Sequence, residues 1–163
     1  GFIEETGASQ FLRDVRVTAI YEGTNGIQAM DLVSRKMIDE GEAAFSKIQE
    51  IEDFIMELPS VFNNMATELK TSLRELRSTT EWLLTQPMND RFSGAVNYLR
   101  FFARVLGGYY HLKAANAENV SNFREKLANV YFTRLLPECQ GLSVTIRKGS
   151  DDIFSLTNEE LQR

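Results

Sequence analysis

A single carboxylate near the start of the chain has the strongest setting for chemistry. Glu22 comes directly before Gly23, and Thr24, Asn25 and Gly26 follow. Glycine permits unusual backbone angles, and Thr and Asn are common N-cap residues, so this pattern predicts a helix that begins beside the carboxylate. From these residues alone, Glu22 has two interpretations. It is a proton-transferring group that faces a ligand, or a solvated carboxylate that the helix dipole stabilises.

Other residue types that commonly carry chemistry are scarce in this sequence. Cys139 is the single cysteine and His111 the single histidine, which is too few for a zinc site or a Cys–His dyad, and no metal site is predicted. Cys139 lies between Leu135 and Leu142 on an apolar helical face, so we expect a buried small hydrophobe in a reducing compartment. We place His111 at the rim of the helix–helix contacts.

Composition and charge exclude several classes of protein. The chain has 163 residues, 43% hydrophobic and 25% charged, which suits one globular domain or a domain with a short appendage. Its net charge of −5, without a long run of one sign, argues against binding to nucleic acid or to an anionic membrane. No apolar run reaches the roughly 18 residues of a membrane span. Because the chain begins with Gly, we expect a fragment or a processed product.

Apolar residues at spacings of three and four predict a series of amphipathic helices. The predicted helices cover about 9–12, 25–38, 45–58, 60–86, 90–117 and 123–146. Val15, Val17 and Ala19 are interpreted as extended or irregular chain, Gly41 as the end of a helix or a bend, and Ser60 as an N-cap. The last long helix crosses Pro137 only if it kinks there. Thr157 and Glu160 are typical of a capping box.

The predicted fold is all-α, an antiparallel bundle of about four long helices, since each apolar stripe needs a partner. We place the bundle at residues 38–163 and interpret residues 1–37 as an arm of a larger domain. Gly107 and Gly108 weaken their helix locally or let a neighbour approach closely. Six aromatic residues at helical spacing line an acyl pocket or, as is more usual, pack in the core. They are Phe92, Tyr98, Phe101, Phe102, Tyr109 and Tyr110.

The first 36 residues resemble the end of the flavin-dependent acyl-CoA dehydrogenases. The resemblance depends on four separated pieces in one ungapped frame, and these are Gly1-Phe2, Arg13-Asp14, Ile20-Tyr21-Glu22-Gly23-Thr24 and Ile27-Gln28. Thr6-Gly7 departs from the aromatic residue and proline found in many relatives. This departure and the long helical stretch after Lys36 resemble the subgroup with a C-terminal extension, which includes enzymes for long-chain or methylthio-substituted acyl-CoA.

The resemblance implies a role for each residue of the opening motif. Glu22 matches the catalytic base, which takes the α proton of an acyl thioester while hydride leaves the β carbon for FAD. Such a base works in a dry site, where burial raises its pKa. Gly23 would lie against the thioester, and Thr24, Asn25 and Gly26 would face the flavin dinucleotide. Gly26 departs from the bulkier polar residue that is common in medium-chain members.

The resemblance also implies partners for the whole enzyme, namely an acyl-CoA substrate, an electron acceptor and a second copy in a homo-oligomer. We expect a bacterial cytoplasmic location, or the mitochondrial matrix if the chain is eukaryotic. The chain alone is expected to be inactive, because other domains build the flavin pocket. The alternative function is a non-catalytic helical interaction or oligomerisation module. The apolar stripe of Ile27, Met30 and Val33 predicts dimerisation through the arm, or folding of the arm back onto the bundle.

Overall fold

The computed structural model describes residues 7–20, 24–117 and 122–162, and all regular structure within these ranges is helical. Its α-helices are α1 (Ala8–Val15), α2 (Thr24–Val33), α3 (Glu42–Met56), α4 (Asn63–Thr85), α5 (Met88–Ser93), α6 (Ala95–Ala115), α7 (Asn122–Arg134), α8 (Glu138–Ile146), α9 (Asp151–Phe154) and α10 (Asn158–Leu161). Four of these helices, α3, α4, α6 and α7, have 13 residues or more. The all-α prediction with about four long helices is confirmed.

Helix α6 is the centre of the fold, since α2, α4, α7 and α8 all pack against it. Its Tyr98, Phe101, Val105 and Leu112 are fully buried. These positions follow the spacing of three and four that puts side chains on one helical face, and the leucines of α4 repeat it. The core leucines of α4 are Leu69, Leu73, Leu76 and Leu83.

The arm predicted from the sequence folds back on this core. Ala29 and Val33 of α2 are fully buried, and Met37 joins the same cluster of buried side chains. Ile27 and Met30 lie on the other side of α2 and remain exposed. Of the two outcomes expected for the apolar stripe, the structure therefore shows the arm packed on the bundle through Val33.

Two local predictions near the arm are wrong. Residues 16–19 form a 3₁₀ helix instead of extended chain, and the hydroxyl of Thr18 donates a 2.7 Å hydrogen bond to the oxygen of Val15. Helix α2 ends at Val33 and a 3₁₀ turn, Arg35–Met37, replaces its predicted end. Gly41 has a φ of 81° and stands directly before α3, so of its two predicted roles it forms the bend and does not end α2.

Two later helix boundaries also differ from the sequence interpretation. Ser60 begins a 3₁₀ turn, Ser60–Phe62, and does not cap α4. The last long element is two helices, because α7 ends at Arg134 and α8 begins after Pro137. Proline lacks the N–H that a continuous helix needs and clashes with the preceding turn, so the chain restarts the helix there instead of kinking it.

The predicted packing roles of the glycine pair and the aromatic residues are confirmed. Gly107 and Gly108 face close neighbours, since a Cβ at Gly108 would lie 3.1 Å from the Cδ1 of Leu69. Tyr98, Phe101 and Tyr109 are buried in the core. Phe92 and Phe102 pack against that core, whereas Tyr110 is 53% exposed. In the described part of the chain, none of the helices is long and apolar enough to cross a membrane.

Candidate functional site

The predicted site residues lie at the beginning of α2. Glu22 and Gly23 are outside the described residues, so the positions of the candidate base and its neighbour stay predictions. Thr24, Asn25 and Gly26 form the first turn of α2, where Asn25 is exposed and the other two are half-buried. The structure therefore brings the three residues predicted to face the flavin together on one helical turn.

This first turn presents backbone donors next to open space. The first N–H groups of an α-helix have no partner within the helix, and they form the positive end of its dipole. No acidic residue lies in the first turn to neutralise that end. A Cβ on Gly26 would meet no heavy atom within 4 Å, so a ligand can approach the backbone closely there. The turn is chemically suited to an anionic or oxygen-bearing group.

Packing and an ion pair fix the direction of α2. Ala29 and Val33 anchor one face of the helix in the core. Near its end, the Nε of Arg35 donates a 2.6 Å hydrogen bond to Asp31, and this bond lowers the pKa of the Asp31 carboxyl. Helix α2 also contacts α5 and α6, so the bundle supports it.

The other groups of the bundle whose pKa values are shifted form contacts that stabilise the fold. Glu138 of α8 accepts hydrogen bonds from the Nε of Arg104 at 2.7 Å, and it pairs with the Nη2 of Arg100 at 2.5 Å. These contacts tie α8 to α6, and the bond from Arg104 is the main cause of the lowered pKa of Glu138. Burial raises the pKa of the Cys139 thiol to about 11, which suits the predicted inert hydrophobe. Cys139 is 1% exposed, as expected.

Sequence reasoning missed a groove between α4 and the α7–α8 pair. This α4–α7 groove contains a cavity of about 750 Å³ with Phe132 and Leu136 among its lining residues. Thr67, Thr71 and Thr133 line it as well, and each hydroxyl donates to a carbonyl oxygen of its own helix, at 2.8 or 2.9 Å. These three hydroxyls therefore have their donors satisfied within their own helices. Pro137, which separates α7 from α8, and Cys139 also line the groove, and the sequence had drawn attention to both.

Within the described ranges, His, Cys, Asp and Glu side chains form no group of three that could hold a metal ion. His111 is half-buried and its ring lies 4.6 Å from that of Tyr131, between centroids. Its predicted place at a helix–helix rim is therefore confirmed.

The bundle itself matches a known family. A family model described as "Acetyl-CoA dehydrogenase C-terminal like" matches residues 47–157, which is more than half of the chain. The chain belongs to the acetyl-CoA dehydrogenase C-terminal-like family. The matched range begins within α3 and contains all of α4 to α9, so it covers most of the helical bundle.

Three relatives are named as acyl-CoA dehydrogenases. The 3-methylmercaptopropionyl-CoA dehydrogenase of Ruegeria pomeroyi is 28% identical over an alignment that covers 95% of this chain and 29% of the relative. A broad-specificity linear acyl-CoA dehydrogenase of Mycobacterium tuberculosis is 36% identical over 34% of this chain and 9% of its own length. The butyryl-CoA dehydrogenase of Syntrophomonas wolfei is 39% identical over the same shares.

The first of these alignments includes both parts of the chain. Since it leaves out only about 5% of the residues, it contains the candidate site at 22–26 as well as the bundle that the family model matches. This chain spans less than a third of the Ruegeria relative. Both parts of the chain therefore align with one protein that is named as an acyl-CoA dehydrogenase.

Proposed function

We propose that this chain is the C-terminal part of a FAD-dependent acyl-CoA dehydrogenase and supplies that enzyme with its catalytic base. The observation that carries the proposal is the alignment with 3-methylmercaptopropionyl-CoA dehydrogenase, which covers 95% of the chain, together with the family match of the bundle. The reaction is α,β-dehydrogenation of an acyl-CoA thioester. In this division, residues 1–37 end the dehydrogenase domain and residues 38–163 form its helical extension.

The first turn of α2 fits the proposed cofactor contact. The positive end of its helix dipole and the open space beside Gly26 suit the oxygens of a pyrophosphate or a flavin ring. Thr24 and Asn25 add polar side chains to the same turn. A bound flavin supplies the hydride acceptor. These features support a contact through backbone groups, which does not need the bulkier side chain that Gly26 replaces.

Glu22 is proposed to take the α proton of the substrate. A proton α to a thioester is weakly acidic, so the carboxylate must lie within about 3 Å of it. Gly23, beside the carboxylate, is proposed to lie against the thioester, where a side chain would obstruct close approach. The carboxylate oxygen that receives the proton later releases it to solvent or to another base.

A carboxylate-to-amide substitution tests this role in the intact dehydrogenase. Glu22→Gln should lower the rate at which acyl-CoA bleaches the flavin absorbance under anaerobic conditions by at least about a hundredfold, while the flavin content stays unchanged. Glu42→Gln is the matched control, because Glu42 is an exposed glutamate in the first turn of α3. A panel of acyl-CoA thioesters, including a methylthio-substituted one, identifies the substrate. Bleaching at the wild-type rate in the Glu22→Gln enzyme would reject the assignment.

The proposed cofactor contact has a separate readout. Gly26→Leu should leave the thermal unfolding of this chain close to that of the wild type, because the substituted side chain enters open space. In the intact enzyme the same change should lower flavin content, measured by absorbance against protein concentration. Unchanged flavin content in that variant would place the cofactor elsewhere.

A second candidate function applies to residues 38–163, which we propose to serve as a non-catalytic oligomerisation module. It is supported by exposed apolar side chains at the end of the chain, among them Phe154 and Leu161. The partners proposed for the whole enzyme are an acyl-CoA substrate, an electron acceptor and a second copy of itself. Because the three named relatives are bacterial, we propose a cytoplasmic location.

A further inference from the structure

We propose that the helical bundle positions the catalytic base, and that Ala29 and Val33 of α2 are the positioning residues through which it does so. This inference rests on the proposed role of Glu22 as the base that takes the α proton. It goes beyond that role because it gives residues 38–163 a part in catalysis, which is to hold the helix that follows the base. Neither positioning residue touches the substrate, and both act through the placement of α2.

One face of α2 is part of the core of the bundle. Ala29 and Val33 are fully buried, and the partly buried Leu32 packs against the same core. Positions 29, 32 and 33 are separated by three and four residues, so they lie on one face of the helix. Ile27 and Met30 lie on the other side and remain exposed. The bundle therefore contacts α2 through this buried face.

The packing at Ala29 is tight because the side chain is small. Helix α2 packs against α5 and against α6, the central helix of the fold. Since Ala29 has a single methyl group and no exposed surface, its neighbours lie close to the backbone of α2. A larger side chain at this position fits only if α2 or its neighbours move. Ala29 thus sets the distance between α2 and the bundle.

The chain that leads from α2 into the bundle is also fixed. Met37, in the 3₁₀ turn after α2, is buried and belongs to the core cluster. The carboxylate of Asp39 accepts hydrogen bonds from the N–H of Gly41, at 3.0 Å, and from the N–H of Ala43, at 3.1 Å. Ala43 lies in the first turn of α3. Helix α2 is therefore tied to the bundle at its C-terminal end as well as along its buried face.

The buried residues of α2 lie close to the base along the chain. An α-helix rises 1.5 Å per residue, so Ala29 is about 7.5 Å and Val33 about 13.5 Å along the axis from Thr24, the first residue of α2. Glu22 precedes Thr24 by two residues. Because a helix is a rigid element, a shift of α2 at Ala29 moves its first turn as well.

Proton transfer is sensitive to a shift of this kind. A base must lie within hydrogen-bonding reach of the proton that it takes, and a displacement of about 1 Å caused by a distant substitution can lower a rate about a hundredfold. The residues proposed to face the flavin, Thr24, Asn25 and Gly26, are in the same first turn. Loosening α2 from the bundle should therefore slow the reaction in an enzyme that is still folded.

A substitution at Ala29 tests the proposal in the intact dehydrogenase. Ala29→Leu should lower the rate at which saturating acyl-CoA bleaches the flavin, expressed per bound flavin, at least about tenfold. Ala128→Leu is the matched control, because Ala128 is also fully buried but lies on α7, which packs against α4 and α6. This control overpacks the bundle elsewhere, so it should lower the unfolding temperature and leave the rate per bound flavin unchanged.

Two further variants separate the position of α2 from the stability of the fold. Ala29→Ser changes the size of the side chain little, so it should keep the wild-type rate, and a rate as low as that of Ala29→Leu would contradict the proposal. Val33→Ala removes packing instead of adding a clash, and it should slow bleaching about threefold or more. The test therefore stands even if Ala29→Leu fails to fold.

Hydrogen exchange in the intact enzyme gives a readout that does not depend on the reaction. The amides of residues 29–33 should be protected about as strongly as those of the buried part of α4, since both belong to one core cluster. Ala29→Leu should lower the protection of α2 at least about tenfold more than that of α4. Ala128→Leu should not single out α2 in this way.

Three results would overturn the proposal. A wild-type rate per bound flavin in the Ala29→Leu enzyme would show that this packing does not position the base. Equal slowing by Ala29→Leu and Ala128→Leu would show that the bundle acts through general stability. Unchanged protection of α2 in the Ala29→Leu enzyme would show that the contact does not hold the helix. If Glu22→Gln is inactive in each of these cases, the proposed function stands, whereas an active Glu22→Gln enzyme rejects the base and this inference together.

Discussion

Tyr131 fills the space beside Gly107 that a side chain would need. A Cβ built on Gly107 would lie 2.0 Å from the hydroxyl oxygen of Tyr131 and 2.4 Å from its Cζ. The same hydroxyl donates a 2.9 Å hydrogen bond to the backbone oxygen of Arg104, one turn earlier in α6. The ring of His111 lies against that of Tyr131 with 4.6 Å between centroids. Helices α6 and α7 can therefore approach this closely only because residue 107 has no side chain.

Replacing Gly107 by alanine should destabilise the fold, although alanine has the higher helix propensity. Alanine gains about 1 kcal/mol over glycine in a helix interior. Its Cβ must displace the buried ring of Tyr131, however, and overpacking of this kind costs about 1–3 kcal/mol or more. We expect Gly107→Ala to lower the free energy of unfolding by about 1–2 kcal/mol, measured by urea denaturation.

Gly141 provides the matched control for this substitution. It lies within α8, and a Cβ there would meet no heavy atom within 4 Å. Gly141→Ala should therefore raise the free energy of unfolding by about 0.5–1 kcal/mol, as helix propensity alone dictates. Equal effects of the two substitutions would show that the contact with Tyr131 does not control the packing of α6 and α7.

Asp90 should be worth more to stability than an ordinary surface carboxylate. Its Oδ1 is the acceptor for both the N–H and the hydroxyl of Ser150, which is 6% exposed. Asp90→Ala leaves these buried donors unpaired and should cost about 1–3 kcal/mol in thermal or urea unfolding. Asp90→Asn keeps an oxygen acceptor and should cost less. If the two variants have the same free energy of unfolding, the hydrogen bonds to Ser150 are not the source of the stability that Asp90 provides.

The core could be predicted from the sequence because burial follows a simple period. Leu69, Leu73 and Leu76 are spaced by four and three, and all are fully buried. The glycine pair at 107–108 was also informative, since a mid-helix glycine either weakens the helix or admits a neighbour. Here Tyr131 is that neighbour. The pattern repeated along α4 thus predicted the buried face of that helix.

Turns and the groove could not be predicted in the same way. The 3₁₀ turn at 16–19 depends on local hydrogen bonds such as that from Thr18 to Val15, which compete with extended chain by small energies. The α4–α7 groove depends on how α7 and α8 separate at Pro137, which no single helix specifies. At the candidate site, the helix start at Thr24 was predicted to within one residue, while Glu22 lies outside the described residues.

The ion pairs of Glu138 should make the stability of the fold depend on pH in the acidic range. Hydrogen bonding to Arg104 holds the pKa of Glu138 below its usual value, with Arg100 adding to the effect. A carboxyl group with a lowered folded-state pKa stabilises the fold above its unfolded pKa, about 4.3 for Glu, and loses that contribution as the pH falls through the folded value. The urea midpoint of the wild type should thus be higher than that of Glu138→Gln at pH 6, and the two midpoints should converge below about pH 4.

Glu57 provides the control for this pH dependence. It is exposed and forms no ion pair with a described residue, so Glu57→Gln should leave the urea midpoint almost unchanged at every pH. A wild-type advantage over Glu138→Gln that stays constant down to pH 3 would mean that Glu138 acts through packing instead of charge.

Cys139 should resist thiol reagents although it is among the residues that line the α4–α7 groove. It is 1% exposed, and burial raises its pKa to about 11, so almost no thiolate is present at pH 8. We expect a reaction with a disulfide reagent at least about a hundredfold slower than that of an unfolded cysteine, whose pKa is about 8.5. Urea below the unfolding midpoint should accelerate it. In a Cys139→Ala chain, Val144→Cys places the thiol at a position that is 60% exposed and should react quickly. Equal rates at the two positions would show that the groove opens as far as Cys139.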